Sequence, residues 1–193
     1  NMIEIFDDLF CEEDLNKIEN NFTSNHFPWY LSGNFTVNDF HYQNLKNKTT
    51  KEYLQFCHVF YDEDIHNKDC QYEKSPYFFP IQTILNKYPI KNLKRIKANF
   101  QPRCESFKSY EHNTPHIDCL TFHDVILYYV NESDGDTFIF DKEMNILKRI
   151  EHKRGRLVRF NGAYFHAGSH PSKNNSRITI NFNTLTSYKQ FLL

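Results

Sequence analysis

The sequence predicts a mainly β protein with flanking helices, its strands arranged as a jelly roll. Three observations carry this. From Leu93 onward, short apolar runs alternate with turn residues every eight to twelve positions, the spacing of an antiparallel sandwich or barrel. Eight such runs can be read, the strand number of a jelly roll. The 193 residues hold 19 Phe and 12 Tyr against only 5 Gly, a composition that favours pleated, half-buried surfaces.

The elements follow in order. Ile3 to Phe22 reads as a helix, started by Asp8 or Glu12, with Leu9, Leu15, Ile18 and Phe22 recurring at spacings near three to four. Trp29 and Tyr30 follow Pro28 in an aromatic cluster. They read either as an anchor for the N-terminal region, the favoured role, or as lining for a substrate entrance. Asn44 to Thr50 is a polar loop, Tyr53 to Tyr61 a strand, and Asp62 to Lys74 a charged loop. Ser75-Pro76 opens a second helical stretch, Tyr77 to Lys87, with Phe78, Ile81, Ile84 and Leu85 as its apolar face. Strands are then expected near 94–102, 115–119, 123–131, 136–141, 145–151, 155–160, 164–169 and 176–185. Asp134-Gly135 and Asn161-Gly162 mark turns between them. The length fits one domain, 1–193, in which an N-terminal region (1–93) covers a jelly-roll core (94–186).

Bulk properties narrow the setting. No apolar run approaches the roughly 18 residues of a membrane span, so no membrane partner is expected. The acidic stretch Asn1 to Phe10 lacks a basic segment followed by an apolar one, so no signal peptide is expected. Cys11, Cys57, Cys70, Cys104 and Cys119 are odd in number and include no C-x-x-C pair, which argues for a reducing cytoplasm. Net charge is −1 but uneven. Residues 1–90 carry 7 Lys/Arg against 14 Asp/Glu, and residues 91–193 carry 16 against 10. The two halves are expected to attract each other and pack together.

The chemistry concentrates around His116-Ile117-Asp118. His166 follows 50 residues after His116, and Arg177 lies 11 beyond His166. Two imidazoles and one carboxylate form the ligand set of an iron site with open positions. On a strand, His116 and Asp118 share a face, so both can turn to one ion. His170 is a rival ligand four residues from His166, on the same face of a period-two strand; the spacing to Arg177 favours His166. The run from Arg177 to Asn183 places Arg177, Thr179 and Asn181 on one face and Ile178, Ile180 and Phe182 on the other. A polar face is ordinarily the solvent face; beside a metal pocket it lines the interior. There the planar guanidinium of Arg177 can hold a carboxylate through two parallel hydrogen bonds, and Thr179 can add a hydroxyl donor. Tyr129 sits in Val125 to Asn131, apolar on both faces and so a buried central strand. Its hydroxyl needs a partner, either an acidic ligand or backbone.

Taken together, residues 94–185 resemble the 2-oxoglutarate and Fe(II)-dependent oxygenases, particularly the prolyl 4-hydroxylase-like branch. The matching segments are Pro115-His116-Ile117-Asp118, Leu127 to Asn131 running into Asp134 to Thr137, Gly155 to Phe160, His166-Ala167-Gly168, and Arg177-Ile178-Thr179. The resemblance implies a double-stranded β-helix, with Fe(II) held by His116, Asp118 and His166. It implies 2-oxoglutarate with its far carboxylate on Arg177 and contacted by Tyr129, dioxygen as cosubstrate, and ascorbate as a candidate reductant. The implied reaction is hydroxylation coupled to decarboxylation of 2-oxoglutarate to succinate, and the retained Asp118 favours hydroxylation over halogenation. The chain departs from the family pattern where Asp134-Gly135 replaces a double Gly, and Arg177 stands where collagen-directed members use lysine.

Prolyl or other protein and peptide side chains are the expected substrates, with small molecules second. A nucleic-acid oxygenase of the same superfamily is a disfavoured alternative, in which a basic run would serve phosphates. The basic run Lys148, Arg149, Lys153, Arg154, Arg156 and Arg159 is interrupted by Glu151, and no second arginine follows Arg177. Two other readings stand beside these: a zinc hydrolase on the same ligands, and a non-catalytic jelly-roll binding module.

Overall fold

The computed structural model describes residues 3–32, 51, 53–63 and 75–186. In chain order its elements are β1 (Glu4–Phe6), α1 (Glu12–Thr23), β2 (Tyr30–Ser32), β3 (Gln55–Asp62), α2 (Phe79–Lys87), β4 (Leu93–Pro102), β5 (His123–Tyr129), β6 (Thr137–Phe140), β7 (Ile146–Ile150), β8 (Leu157–Asn161), β9 (Phe165–Gly168) and β10 (Ser176–Leu185). A seven-stranded antiparallel sheet has the order β1-β8-β5-β10-β4-β3-β2, and a three-stranded one the order β7-β6-β9. Among the described residues, two such sheets flanked by two helices match the expected double-stranded β-helix of the jelly-roll type.

The expected strands from 94–102 and from 123 onward correspond to β4 and to β5 through β10. The one expected at 115–119 does not form as a strand. Only His116 pairs, in a single antiparallel bridge with His166, and the chain bends at Asp118. Pro115 lacks an N–H and cannot extend the ladder.

The first helix is also shorter than the expected Ile3 to Phe22. Glu4 to Phe6 instead pair with Arg159 to Leu157 on the edge of β8, and Asp8 takes a positive φ of 61° before the helix begins at Glu12. Glu12, Glu13 and Asp14 fill its first turn, where the helix dipole favours acids. The second helix starts at Phe79, with Pro80 in its first turn, the helical site that tolerates a missing N–H. Strand β2, paired to β3, was not expected. The loop Asn44 to Thr50 and all but the start of Asp62 to Lys74 lie outside the described residues.

Among the described residues, two apolar layers pack against the larger sheet. On the outer face of the larger sheet, Ile96, Ala98, Ile126, Tyr128, Ile178, Ile180 and Phe182 pack with Ile18 and Phe22 of α1 and Ile81 and Ile84 of α2. Trp29 is part of this layer, against Phe22, Phe27 and Phe100, while Tyr30 is exposed on β2. Between the sheets, Val125, Leu127, Tyr129, Val158 and Phe160 meet Ile139 and Ile150.

The charge asymmetry is resolved as an internal seam. Arg156 grips Asp7 through two bonds of 2.8 and 2.9 Å, and Arg154 reaches Glu12 and Glu19, each at 2.7 Å. Arg159 pairs with Asp124 at 2.6 Å and lies 3.6 Å from Glu4. The Arg156 guanidinium holds the Asp7 carboxyl below its usual range. Much of the basic run therefore faces the acidic N-terminal segment of its own chain.

Among the described residues no helix is long and apolar enough to cross a membrane. Cys11, Cys57, Cys104 and Cys119 are free thiols.

Candidate metal centre and carboxylate site

β10 is the middle strand of the larger sheet, and both its faces are buried. Ile178, Ile180 and Phe182 face the helices; Arg177, Thr179, Asn181 and Asn183 face the space between the sheets, none more than 5% exposed. The polar face is thus an interior one. Arg95, Lys97, Asn99 and Gln101 continue it onto β4 as register partners of Asn183, Asn181, Thr179 and Arg177.

At one end of this face His116, Asp118 and His166 come together, with one ligand atom from each lying within 4.8 Å of the others. The bridge that joins His116 and His166 has two backbone bonds, of 3.0 and 2.9 Å, which set the two rings 4.6 Å apart. His116 Nδ1 lies 3.2 Å from the Thr114 carbonyl; donating there leaves Nε2 as the basic nitrogen, 4.0 Å from Asp118 Oδ1. His166 Nε2 is 3.6 Å from Asp118 Oδ2. His170 stands apart from this group, with Nδ1 on the Pro102 carbonyl at 3.0 Å and its ring against Phe107 and Tyr53.

The protonation states suit a metal. Burial pushes the Asp118 carboxyl up, but His166, His116 and Arg95, with the Asn181 amide, outweigh it and hold it far below the carboxylate range. Burial pushes His166 down to about 4, against the pull of Asp118. At neutral pH the site therefore holds an ionised carboxylate and an unprotonated His166, the forms that ligate. Two imidazoles and a carboxylate fit Fe(II), and they leave coordination positions open.

At the other end lies Arg177, 4% exposed. Its Nε–H donates to the Gly135 carbonyl at 2.9 Å, Nη1 to Gln101 Oε1 at 2.5 Å, and Nη2 to Thr137 Oγ1 at 2.7 Å. All three acceptors are neutral, and no carboxylate lies within ion-pair distance of it among the described residues. Burial accordingly pushes its pKa down. The Tyr129 hydroxyl donates to the same Thr137 oxygen at 2.7 Å, and its ring stacks on His152 with centroids 4.4 Å apart. Thr179 is 2% exposed and sits opposite Tyr129 in the ladder. Glycines make room here. A Cβ on Gly168 would come within 2.8 Å of Arg177 Nη1, and one on Gly135 within 2.5 Å of the Ser169 carbonyl and 2.9 Å of Arg177 Cδ.

Arg95, Gln101, Thr137 and Asn183 belong to these two ends and were not singled out in the sequence. One signal pointed to the first two. Arg95, Lys97, Asn99 and Gln101 alternate with Ile96, Ala98 and Phe100 as the residues of β10 do.

No family model matches the sequence, and no curated protein matches it. Solved structures do. An oxidoreductase of the 2OG-Fe(II) oxygenase family from Burkholderia pseudomallei aligns with TM-score 0.55 at 10% identity, over 94% of this chain and 84% of that one. A prolyl hydroxylase from Trichoplax adhaerens, in complex with a hypoxia inducible factor oxygen degradation domain peptide fragment, aligns with TM-score 0.55 at 13% identity, over 98% and 86%. A viral collagen prolyl hydroxylase from Paramecium Bursaria Chlorella virus-1, as its 2OG complex, gives 0.51 at 13%, over 96% and 97%. At such identities the likeness is one of fold. The chain has a 2-oxoglutarate/Fe(II)-oxygenase fold, and His116, Asp118 and His166 form a 2-His-1-carboxylate triad within it. The three side chains could hold a metal ion at this place in the fold.

Proposed function

We propose that this protein is a 2-oxoglutarate- and Fe(II)-dependent dioxygenase that hydroxylates a prolyl or other protein or peptide side chain and releases succinate. The observation that carries the reading is the convergence of His116, Asp118 and His166 on one interior face with Arg177. A buried guanidinium surrounded by neutral acceptors favours an anion, and a dicarboxylate cosubstrate brings one. Zinc hydrolysis on the same ligands would leave Arg177 without a role. The iron, with 2-oxoglutarate bound, supplies the oxidative chemistry.

The chain's own groups do the rest. His116, Asp118 and His166 would hold the metal. Arg177 and Thr137 would orient the far carboxylate, with Tyr129 and Thr179 beside them. Phe160 packs edge-on against the His166 ring, with centroids 5.2 Å apart, and Val125, Leu127 and Val158 are buried in the same cluster. A peptide substrate is supported by the likeness in fold to the Trichoplax prolyl hydroxylase, which was solved in complex with a peptide fragment. The pairing of Arg154, Arg156 and Arg159 with acids of this chain weakens the nucleic-acid alternative. Ascorbate as reductant, a cytoplasmic setting, and a single domain in which residues 1–93 cover the core 94–186 complete the proposal.

The test is succinate release with Fe(II), 2-oxoglutarate and ascorbate, screened over proline-containing peptides, free amino acids and methylated oligonucleotides. A proline-containing peptide should stimulate turnover most. His116→Ala or Asp118→Ala should abolish even uncoupled decarboxylation. Full turnover in either variant would sink the metal assignment, and turnover driven only by oligonucleotides would replace the substrate class.

A further inference from the structure

We infer that Asn181 and Asn183 are positioning residues that make Asp118 a one-oxygen metal ligand, presenting Oδ1 and occupying Oδ2. The inference rests on the metal reading of the triad. Of the three ligands, Asp118 is carried by the least regular backbone. His166 lies in β9 and His116 is bridged to it, whereas Asp118 sits at a bend two residues further on. Its carboxylate is held from the side, by residues of two central strands, β10 and β4.

The hydrogen bonds divide unequally between the two oxygens. A carboxylate oxygen offers about two lone-pair positions. Asn181 Nδ2 donates to Oδ2 at 2.9 Å and Asn183 Nδ2 at 2.8 Å, so both positions of Oδ2 are taken. Oδ1 receives one bond, from Arg95 Nη2 at 3.0 Å, and keeps one position. His116 Nε2 lies 4.0 Å from this oxygen. His166 Nε2 is nearer to Oδ2, at 3.6 Å, but Oδ2 has no remaining lone pair to offer.

The amide orientations follow from chemistry. Arg95 Nε–H donates to Asn183 Oδ1 at 3.1 Å, and a guanidinium can only donate. The oxygen of Asn183 must therefore face Arg95, and its NH2 must face Asp118. That same NH2 lies 3.3 Å from Asn181 Oδ1, which turns the Asn181 NH2 toward Asp118 as well. Orientation is passed from Arg95 to Asn183 to Asn181, and Asn183 and Arg95 are register partners on adjacent strands. The consequence is functional. A carboxylate bound through both oxygens would take one more coordination position of the metal, leaving fewer open for a chelating cosubstrate.

The experiment is titration of Mn(II) alone into wild type, Asn183→Ala, Asn181→Ala and His116→Ala by calorimetry, with visible spectra of the Co(II)-loaded proteins as a second readout. Wild type should bind one Mn(II), and His116→Ala should lose binding. Asn183→Ala should weaken binding about 10- to 100-fold, in the range of lost outer-shell partners, and shift the Co(II) bands as Oδ2 becomes free to coordinate. Asn181→Ala should do both to a lesser degree, because Asn183 and Arg95 remain. Wild-type affinity and unchanged Co(II) bands in both asparagine variants would overturn the inference while leaving the triad intact. If Asn183→Ala does not fold, the same result in Asn181→Ala alone overturns it. Absence of Mn(II) binding by wild type, or undiminished binding by His116→Ala, would remove the triad reading and this inference with it.

Discussion

At one end of the interior face of β10, two asparagines and an arginine donate to a carboxylate; at the other, an arginine donates to a carbonyl, an amide and a hydroxyl. The two ends are built from the same two strands. Asn183 pairs with Arg95 in the ladder, and Arg177 pairs with Gln101. Yet their electrostatics differ. The Asp118 charge is matched within the protein by Arg95 at 3.0 Å. Among the described residues the hydrogen bonds of Arg177 go to neutral oxygens, at 2.5 to 2.9 Å, while Asp136 acts on its charge only from beyond ion-pair distance. Hydrogen bonds satisfy geometry at both ends, but among the described residues only the first includes a direct ion pair. A site that orders its donors while leaving a buried cation unmatched is preorganised for an anion. The metal end has its carboxylate fixed and ionised before any cation arrives.

The sharpest way to break this contrast is to remove the unmatched charge. Arg177→Gln keeps a planar donor on β10 and deletes the guanidinium. Loss of a buried charge-assisted pair costs about 3 kcal/mol, so the 2-oxoglutarate KM should rise on the order of 100-fold. Mn(II) affinity, measured by calorimetry, should stay at the wild-type value, because the hydrogen bonds of Arg177 go to Gly135, Gln101 and Thr137 and not to a triad residue. An unchanged KM would move the carboxylate site elsewhere. A parallel loss of metal binding would show that the two ends are one cooperative network.

The contrast was only half legible in the sequence. The spacing of His116, Asp118, His166 and Arg177 could be read because each belongs to a short motif with flanks of its own. The interior facing of β10 could not be decided, since a strand alternating Arg177, Thr179 and Asn181 with Ile178, Ile180 and Phe182 reads equally as half-solvated. The apolar partners on both sides are what bury it, and these come from residues far away in the chain. Arg95, Gln101 and Thr137 escaped for a related reason. A polar residue on a strand gains a role only once its cross-strand neighbour is known, and register is a tertiary property. The failed strand at 115–119 is the converse case. His116 and Asp118 are brought together with His166 by a single bridge and side-chain bonds, without the strand alternation that first paired them. The N-terminal strand β1 was masked by the helical period that begins just after it.

A smaller perturbation sharpens the same comparison from the side of β9. Gly168 lies two residues from His166, yet its Cα faces the carboxylate end. A Cβ there would meet Arg177 Nη1 at 2.8 Å, Cζ at 3.0 Å and Gln101 Oε1 at 3.1 Å. Gly168→Ala should displace the guanidinium rather than the imidazole. Overpacking of this kind costs about 1–3 kcal/mol, seen as a lower Tm, with a rise of roughly 2- to 10-fold in 2-oxoglutarate KM if about half of that falls on the anion site. The Mn(II) affinity should again hold. If metal binding falls and the KM does not, Gly168 serves the strand that carries His166, and the separation between the two ends is drawn in the wrong place.

The smallest effect tests how much of the carboxylate end depends on Tyr129 itself. Its hydroxyl donates to Thr137 Oγ1 at 2.7 Å, the same oxygen that accepts from Arg177 Nη2. With both donors in place, the Thr137 hydroxyl hydrogen is free to point at a bound carboxylate, so Tyr129 acts through Thr137. Tyr129→Phe keeps the ring on His152 and removes one neutral hydrogen bond worth about 1 kcal/mol. The expected outcome is about a 5-fold rise in 2-oxoglutarate KM with little change in kcat. Thr137→Val should cost more than Tyr129→Phe, because it removes the acceptor shared by Tyr129 and Arg177 together with the hydroxyl. The reverse order would mean that Tyr129 contacts the cosubstrate directly and that Thr137 merely fills space beside it.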